Sequence, residues 1–289
     1  MTVEPKPLSR PWWNHVRFSL RALIVLVLLI AAGLGWLVRS AHVQRDAVAA
    51  IRRAGGSVSY DWEWSNGKSI PGGKPWAPRW LTDLIGVDYF GHVTSVWLQP
   101  APTDGAIVEV GHLTQLERLQ LVGGFVSDGG LAHLKGLTKL SNLYLSNNQV
   151  SDAGLAHLKG LTKLKFVHLS GTQVTDAGLA HLQGLTKLSA LTLGGTQVSD
   201  AGLAHLQGLT NLTILFLHDT QVSDAGLMHL KGLTRLSSLD LKGTRVTDAG
   251  LAHLNGLTKL LAIELSGTQV TQSGVQELQK VLPNAQIHP

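Results

Sequence analysis

The sequence predicts an α/β solenoid, a stack of short strands and short helices, behind one apolar N-terminal segment. The first observation is a repeat, because the tract G-L-T-(K/N/R)-L recurs every 24 residues, at Gly136, Gly160, Gly184, Gly208, Gly232 and Gly256. A fixed period of this size indicates a repeat architecture, in which each unit buries its apolar face against its neighbours. The second observation is a run of seventeen uncharged, mostly aliphatic residues from Ala22 to Val38.

Each repeat combines a strand pattern with a helix pattern. In one unit Val167 and Leu169 are separated by two positions, which is the period of a strand. A hydroxyl residue followed by aspartate comes next, and this pair is typical of a helix N-cap with a favourable charge in the first turn. The predicted caps are Ser151, Thr175, Ser199, Ser223 and Thr247. One unit is therefore predicted as strand, turn, short helix and return.

The run from Leu140 to Val150, L-S-N-L-Y-L-S-N-N-Q-V, resembles the leucine-rich repeat L-x-x-L-x-L-x-x-N-x-L. The tract D-A-G-L-A-H-L resembles the helix-bearing subclass found in ribonuclease-inhibitor-like and F-box-associated repeats. The whole layout is most similar to bacterial membrane-anchored proteins with 24-residue leucine-rich repeats. The resemblance covers residues 93–289 and implies a curved parallel sheet on the concave face with short helices on the convex face.

One position departs from the leucine-rich-repeat pattern. Its usual asparagine is present at Asn148, but threonine replaces it in the following units, at Thr172, Thr196, Thr220, Thr244 and Thr268. A buried hydroxyl can hydrogen-bond the turn backbone. We therefore expect a threonine ladder that does the work of the asparagine and begins after Gly124.

Five segments are expected along the chain. Residues 1–21 form a basic cytoplasmic tail, 22–38 a transmembrane signal anchor, 39–56 a juxtamembrane helix or stalk, 57–92 an N-terminal cap, and 93–289 the repeat domain with its C-terminal cap. The anchor is long enough for a hydrocarbon core of roughly 30 Å. A cleaved signal peptide is the alternative, but Ala47-Val48-Ala49, the nearest A-x-A site, lies too far downstream.

We make two further predictions, one for the segment that follows the anchor and one for the N-terminal cap. Residues 40–54 have a thin apolar face, which favours a solvated stalk over a helix lying on lipid headgroups. All eight tryptophans lie at or before Trp97. Because an open solenoid end needs a cap, Trp62, Trp64, Trp76 and Trp80 are predicted to cover the first repeat, with an aromatic ligand pocket as the alternative.

Charge is divided unevenly along the chain. Residues 1–53 hold eight Lys/Arg and two Asp/Glu, whereas residues 54–289 hold sixteen and seventeen. A basic arm beside an apolar run suits a membrane surface, and the near-neutral repeats argue against nucleic-acid binding. Four basic residues flank each end of the span, so the positive-inside rule does not set its orientation. The resemblance and the usual behaviour of N-terminal anchors imply repeats outside the cytoplasm.

Two polar columns recur once per repeat. One contains His133, His157, His181, His205, His229 and His253, and the other Asp128, Asp152, Asp176, Asp200, Asp224 and Asp248. A metal site needs ligands that converge on one ion, whereas such columns form lines along a solenoid. We interpret them as half-exposed helix histidines and helix caps. The chain has no cysteine. No metal, cofactor or catalytic constellation is predicted, and the chain is not expected to be an enzyme.

Residues that break the repeat are the candidates for recognition, because packing does not fix them. The outward strand positions read Trp97, Gln120, Tyr144, His168, Thr192, Phe216, Asp240 and Glu264, and the adjacent row reads Arg118, Asn142, Phe166, Ala190, Ile214, Ser238 and Ala262. The predicted partner-binding residues are Trp97, Arg118, Gln120, Tyr144, Phe166, His168, Ile214, Phe216, Asp240 and Glu264. Aromatic side chains exposed on a concave surface are typical interface anchors, and drift on an unused face is the alternative.

The predicted function is a membrane-tethered, non-enzymatic module that binds a protein or peptide through the concave face. A self-associating envelope or surface scaffold is the first alternative. A regulatory adaptor like the F-box leucine-rich-repeat proteins is the second, although an apolar segment stands where the F-box would be.

Overall fold

The computed structural model describes residues 20–65, 68–99 and 101–289. The chain divides into two compact units, of which the first ends at Val43 and the second runs from Gln44 to Pro289. Helix α1, Leu20–Arg53, crosses this boundary.

The first unit is described from Leu20 onward and is helical throughout. Its side chains are exposed from Arg21 to Arg39, and the helix is long and apolar enough to cross a membrane by length and composition. The expected span 22–38 lies within this stretch. Of the expected tail 1–21, residues 1–19 lie outside the described residues, and Leu20 and Arg21 already belong to the helix.

The second unit contains one long sheet. Its strands are β1 Ser57–Tyr60, β4 Val93–Leu98, β5 Arg118–Leu121, β6 Asn142–Tyr144, β7 Phe166–His168, β8 Ala190–Thr192, β9 Ile214–Phe216, β10 Ser238–Asp240, β11 Ala262–Glu264 and β12 Gln286–His288, while β2 Trp64–Ser65 and β3 Lys68–Ser69 form a separate hairpin. Strand β1 is antiparallel to β4, and all later neighbours are parallel. Repeated strand–helix units with a parallel sheet fit the expected leucine-rich-repeat solenoid.

The helices lie between the strands. They are α2 Arg79–Ile85, α3 Asp104–Val110, α4 Asp128–Leu131, α5 Asp152–Leu155, α6 Asp176–Leu179, α7 Asp200–Leu203, α8 Asp224–Leu227, α9 Asp248–Leu251 and α10 Gln272–Val281. A 3-10 turn continues each of α4 to α9. The helical part of a regular repeat therefore spans about two turns, and its stability comes from packing more than from helix propensity.

The core is a column of aliphatic side chains that repeats with the sequence. In the central unit Leu164, Val167 and Leu169 of the strand half and Leu179 and Leu182 of the helix half are all fully buried. Every regular unit contributes an equivalent set to one continuous cluster. Because each set is covered by the units on both sides, no single repeat can hold its core alone.

The aspartate column links each repeat to the next. Each carboxylate accepts two hydrogen bonds from the hydroxyl residue 23 positions later, one from the backbone N at 2.7–2.8 Å and one from the hydroxyl at 2.5–2.7 Å. The pairs are Asp104 with Ser127, Asp128 with Ser151, Asp152 with Thr175, Asp176 with Ser199, Asp200 with Ser223, Asp224 with Thr247, and Asp248 with Thr271. We call this series the aspartate ladder. These bonds lower the pKa of Asp248, since they favour the charged carboxylate.

Helix capping accounts for only part of the hydroxyl column. Ser151, Thr175 and Thr247 accept a bond from the backbone N two residues later, as predicted. Ser199 and Ser223 also stand at the N-cap position, each with an aspartate in the first turn, but their hydroxyls accept no hydrogen bond from the helix. Their hydroxyls donate to the aspartate of the preceding repeat in the same way as the others. The bond between repeats is thus the feature that all five hydroxyls share.

The aspartate ladder also explains the glycine in each D-A-G-L tract. A Cβ on Gly178 would overlap with the Oδ1 atom of Asp152, and the same overlap with the preceding aspartate occurs at the equivalent glycines. By contrast, nothing lies within 4 Å of a Cβ placed on Gly184. The glycine is therefore needed because a carboxylate of the neighbouring repeat approaches its backbone closely.

The threonines do only part of the work of the asparagine. Asn148 Nδ2 donates to Leu121 O of the preceding repeat at 2.6 Å and to Leu145 O of its own repeat at 3.0 Å. Each threonine hydroxyl donates to the backbone oxygen three residues earlier at 2.6 Å, as Thr172 does to Leu169. The threonine side chain is too short for the bond between repeats. The expected ladder is therefore a series of separate bonds within each repeat.

Residues 44–53 belong to the N-terminal cap, so the expectation of a solvated stalk is wrong for them. Ala47, Val48 and Ile51 are buried in the same cluster as the repeat core. Gln44 is buried as well, and its amide donates to Gly91 O at 3.0 Å and accepts from Val93 N at 3.1 Å. A thin apolar face is enough here because the first strands supply a matching surface.

The tryptophans divide into two groups. Trp62 is partly buried against the core and stacks on Tyr60, with ring centroids 4.7 Å apart. Trp76 and Trp80 are 78% and 68% exposed, so their predicted role in covering the first repeat is wrong. The C-terminal part of the helix that ends at Arg53, together with strand β1, covers the first repeat instead.

We predict that Gly178→Ala destabilises the second unit, because the added methyl displaces the carboxylate of Asp152 from Thr175. The free energy of unfolding in urea should fall by ~1–3 kcal/mol. Gly184→Ala, in the same repeat, is the matched control and should change it by less than about 0.5 kcal/mol. Equal effects of the two substitutions would contradict the assigned role of the ladder.

Candidate binding site on the sheet

The outward side chains of the parallel strands form two rows that the strand register aligns. Trp97, Gln120, Tyr144, His168, Thr192, Phe216, Asp240 and Glu264 face one another in one row, and Arg118, Asn142, Phe166, Ala190, Ile214, Ser238 and Ala262 in the other. We call these two rows together the strand face. All ten residues predicted to bind a partner lie on it.

The strand face is more closely packed than the sequence suggested. Trp97 is 48% exposed, whereas Tyr144, Phe166 and Phe216 are only half-buried rather than fully exposed, and Thr192 is buried. Neighbouring strands lie about 4.8 Å apart, so large side chains in one row cover each other. Of the aromatic residues expected as exposed anchors, Trp97 is exposed, and Tyr144, Phe166 and Phe216 are partly exposed.

A cation and three rings form one stack at the N-terminal end of the strand face. The guanidinium of Arg118 lies 4.3 Å from the ring centroid of Trp64 and 5.4 Å from that of Tyr144. Tyr144 in turn lies 5.4 Å from the ring of His168. Arg118 Nε and Trp64 Nε1 are buried, and neither has an acceptor among the described residues. The stack fixes the arginine with its charge held between aromatic faces.

Trp64 is the member of this stack that sequence reasoning missed. It belongs to the hairpin β2–β3, outside the repeats, and was predicted to cover the solenoid end. Thr94 donates its hydroxyl to Trp64 O, which fixes the hairpin on the first strands. The sequence carried no signal for this position, because the hairpin has no counterpart in the repeat.

His168 is partly buried, and this burial changes the pKa of its imidazole. Desolvation lowers the pKa of His168 below its usual value of 6.5, because burial disfavours the charged imidazolium. Its Nδ1 lies 3.4 Å from Ser146 Oγ. The side chain therefore presents a neutral ring to the middle of the strand face at pH 7.

The C-terminal part of the strand face is acidic, as predicted, but its carboxylates already have partners. Asp240 Oδ2 lies 3.2 Å from His218 Nδ1, and Asp240 Oδ1 accepts from Lys242 N at 3.0 Å. Glu264 Oε1 accepts from Ser266 N at 3.2 Å. Hydrogen bonds with Ser266 lower the pKa of Glu264, since they favour the charged form. These carboxylates keep a fixed orientation.

The histidine column lies on the helical side, on the 3-10 turns. Gln183 and Gln207 place their Nε2 atoms 2.6 Å from Nδ1 of His205 and His229. Five of the six histidines are half-buried, and His133 is exposed. Within residues 20–65, 68–99 and 101–289, no three histidine or acidic side chains converge in a way that could hold a metal ion.

Comparison with known proteins finds similarity to leucine-rich-repeat proteins. The family described as leucine rich repeats (2 copies) matches residues 138–181. Internalin C2 from Listeria monocytogenes is similar in structure, with 28% identity and a TM-score of 0.56 over 70% of this chain and 81% of that one. A plant peptide hormone receptor, RGFR1, solved in complex with RGF2, is similar at 18% identity and a TM-score of 0.45, over 63% of this chain and 29% of that one. No curated protein matches the chain.

The family match and the likeness to internalin C2 support a leucine-rich-repeat protein. Proteins with this fold generally act in protein binding, and the fold is typically a non-enzymatic interaction scaffold.

Proposed function

We propose that this protein is a membrane-tethered, non-enzymatic binding module that recognises a protein or peptide through the strand face. The observation that carries the proposal is the contrast between the two sides of the repeats. The core, the aspartate ladder and the histidine column repeat almost without change, whereas the two rows of the strand face differ at nearly every step.

The local chemistry of the strand face favours a polypeptide partner. Its N-terminal half offers Trp97, Tyr144 and Phe166, and its C-terminal half offers the carboxylates of Asp240 and Glu264. Aromatic anchors beside oriented polar groups are typical of protein interfaces. The surface is also fixed in advance, because the strands are held in register and Arg118 is stacked, which lowers the ordering cost of binding.

Helix α1 supports the tether. Its apolar first half is exposed, and a helix of this length and composition can cross a membrane, where lipid would cover its apolar side chains. We place the first half of the helix in a membrane as a single span, with the repeats outside the cytoplasm. The alternative is a signal sequence that is cleaved.

Photo-crosslinking at the strand face tests the binding proposal. Benzoyl-phenylalanine placed at Phe216 of the full chain in cells should give a discrete adduct with another protein, because this side chain would lie in the interface. The same group at His205, on the helical side of the neighbouring repeat, is the matched control and should give none. Gel mobility and mass spectrometry identify the adduct.

Two outcomes would overturn this assignment. Adducts from His205 but none from Phe216 would move the interface to the helical side. Adducts that contain only a second copy of this chain would favour the self-associating scaffold, the first alternative.

Protease accessibility tests the tether and its orientation. With a tag after Pro289, the repeats should be digested by protease added to cells whose cytoplasmic membrane is intact, and the N-terminal segment should remain with the membrane after alkaline extraction. Tag protection until that membrane is broken would put the repeats in the cytoplasm. Release of a shortened chain that lacks the apolar run would show cleavage and refute the anchor.

A further inference from the structure

A pocket lined by lysines lies at the amino-terminal edge of strands β6 to β8. Its volume is about 530 Å³. The charged groups around it are Lys68, Lys139, Lys163, Lys165, Lys187 and Glu117. We call it the lysine pocket. It touches the strand face at Asn142 and Phe166, so a partner that lies on that face can reach the pocket without leaving the protein surface.

The repeat itself builds the lysine pocket. Lys139, Lys163 and Lys187 occupy the same position in three successive units, 24 residues apart, and lie next to one another on adjacent repeats. Lys165 belongs to the segment just before β7, and Lys68 belongs to the hairpin strand β3. The three equivalent lysines have exposed side chains, and neighbouring strands lie about 4.8 Å apart, so one bound segment could contact all three.

The positive charge of the lysine pocket is not neutralised by the protein. Five lysines face one glutamate, which leaves four positive charges in excess. Among the described residues, the ion pairs within 4.0 Å involve none of these five lysines, and Lys139 donates only to the neutral amide of Gln115. Residues 54–289 as a whole are near neutral, with sixteen basic and seventeen acidic residues. The excess is thus concentrated at one place.

We propose that the lysine pocket binds an acidic segment of the partner protein, with several Asp or Glu side chains entering it. The inference rests on the proposed function. It specifies the chemistry of the partner segment that would reach the lysine pocket when the partner lies on the strand face. A polypeptide is favoured because Phe166 and Asn142 line the pocket beside the lysines. A nucleic acid would need basic charge spread along its backbone, whereas the rest of the repeats is near neutral.

The test is binding of a fluorescein-labelled oligo-glutamate peptide to the full chain in a neutral detergent, measured by fluorescence anisotropy at low salt. We expect binding that weakens as salt is raised, and no binding of an oligo-glutamine peptide of equal length. The triple variant Lys139→Glu, Lys163→Glu and Lys187→Glu should weaken binding by about tenfold or more, because three contacts each worth up to ~5-fold are lost and reversed.

The matched control reverses the same number of charges on the helical side. Lys135→Glu, Lys159→Glu and Lys231→Glu change three exposed lysines that do not line the pocket, so binding should stay within about twofold of the wild type. Circular dichroism establishes that both triple variants are folded. Equal weakening by the two triple variants would overturn the proposal, because only net charge would then matter.

Two further comparisons distinguish this proposal from the strand-face proposal and from binding of a nucleic acid or a lipid. Phe216→Ser leaves the lysine pocket intact and should not change peptide binding, so peptide binding can succeed even if the strand face proves unused. Tighter binding of a single-stranded oligonucleotide, or of anionic phosphatidylserine vesicles, than of the glutamate peptide would overturn the assignment of a polypeptide. If the glutamate peptide does not bind at low salt, the proposal that the lysine pocket binds an acidic segment is wrong.

Discussion

The bond from each aspartate to the next repeat is the contact on which the regular part of the structure depends. A helical segment of about two turns cannot hold its own position, but a carboxylate that accepts from both the backbone N and the hydroxyl of the next unit fixes where that unit begins. The glycine in D-A-G-L follows from the same contact, because any larger residue would fill the space of the carboxylate. The aspartate and the glycine of D-A-G-L resemble signals for a local helix, but both are needed for the contact between repeats.

Because the repeats stack with a constant geometry, the surface residues can vary without changing the core. Because every unit repeats the same step, equivalent positions line up across the sheet, and substitutions at them create surfaces without disturbing the core. Both the strand face and the lysine pocket consist of equivalent positions in successive repeats. The strand face is formed by the outward strand residues, and the pocket by the position that Lys163 occupies in its repeat. One scaffold thus presents an aromatic surface and a basic pocket side by side.

The sequence predicted whatever depends on the repeat period. The strands, the helices and the two rows of outward residues follow from spacing alone. The role of Asp176 did not follow, because an aspartate after a hydroxyl predicts a local cap equally well, and the bond that forms joins residues 23 positions apart. The existence of an N-terminal cap was predicted, but its contacts were not, since Trp64, Trp76 and Ile51 lie in segments with no repeat, where burial depends on contacts that periodicity does not encode.

Native-state hydrogen exchange of the wild-type protein tests the role of the aspartate ladder most directly. The amides of Thr175 and Ser199 lie at half-exposed helix starts and donate to Asp152 and Asp176 at 2.8 and 2.7 Å. If the ladder holds the repeats together, the amides of Thr175 and Ser199 should exchange as slowly as the amide of Leu193, which directly follows β8 and donates to Phe216 O of the next strand at 2.8 Å. Free exchange, as expected for solvated helix termini, would contradict the account, because the repeats would then be held by their apolar core alone.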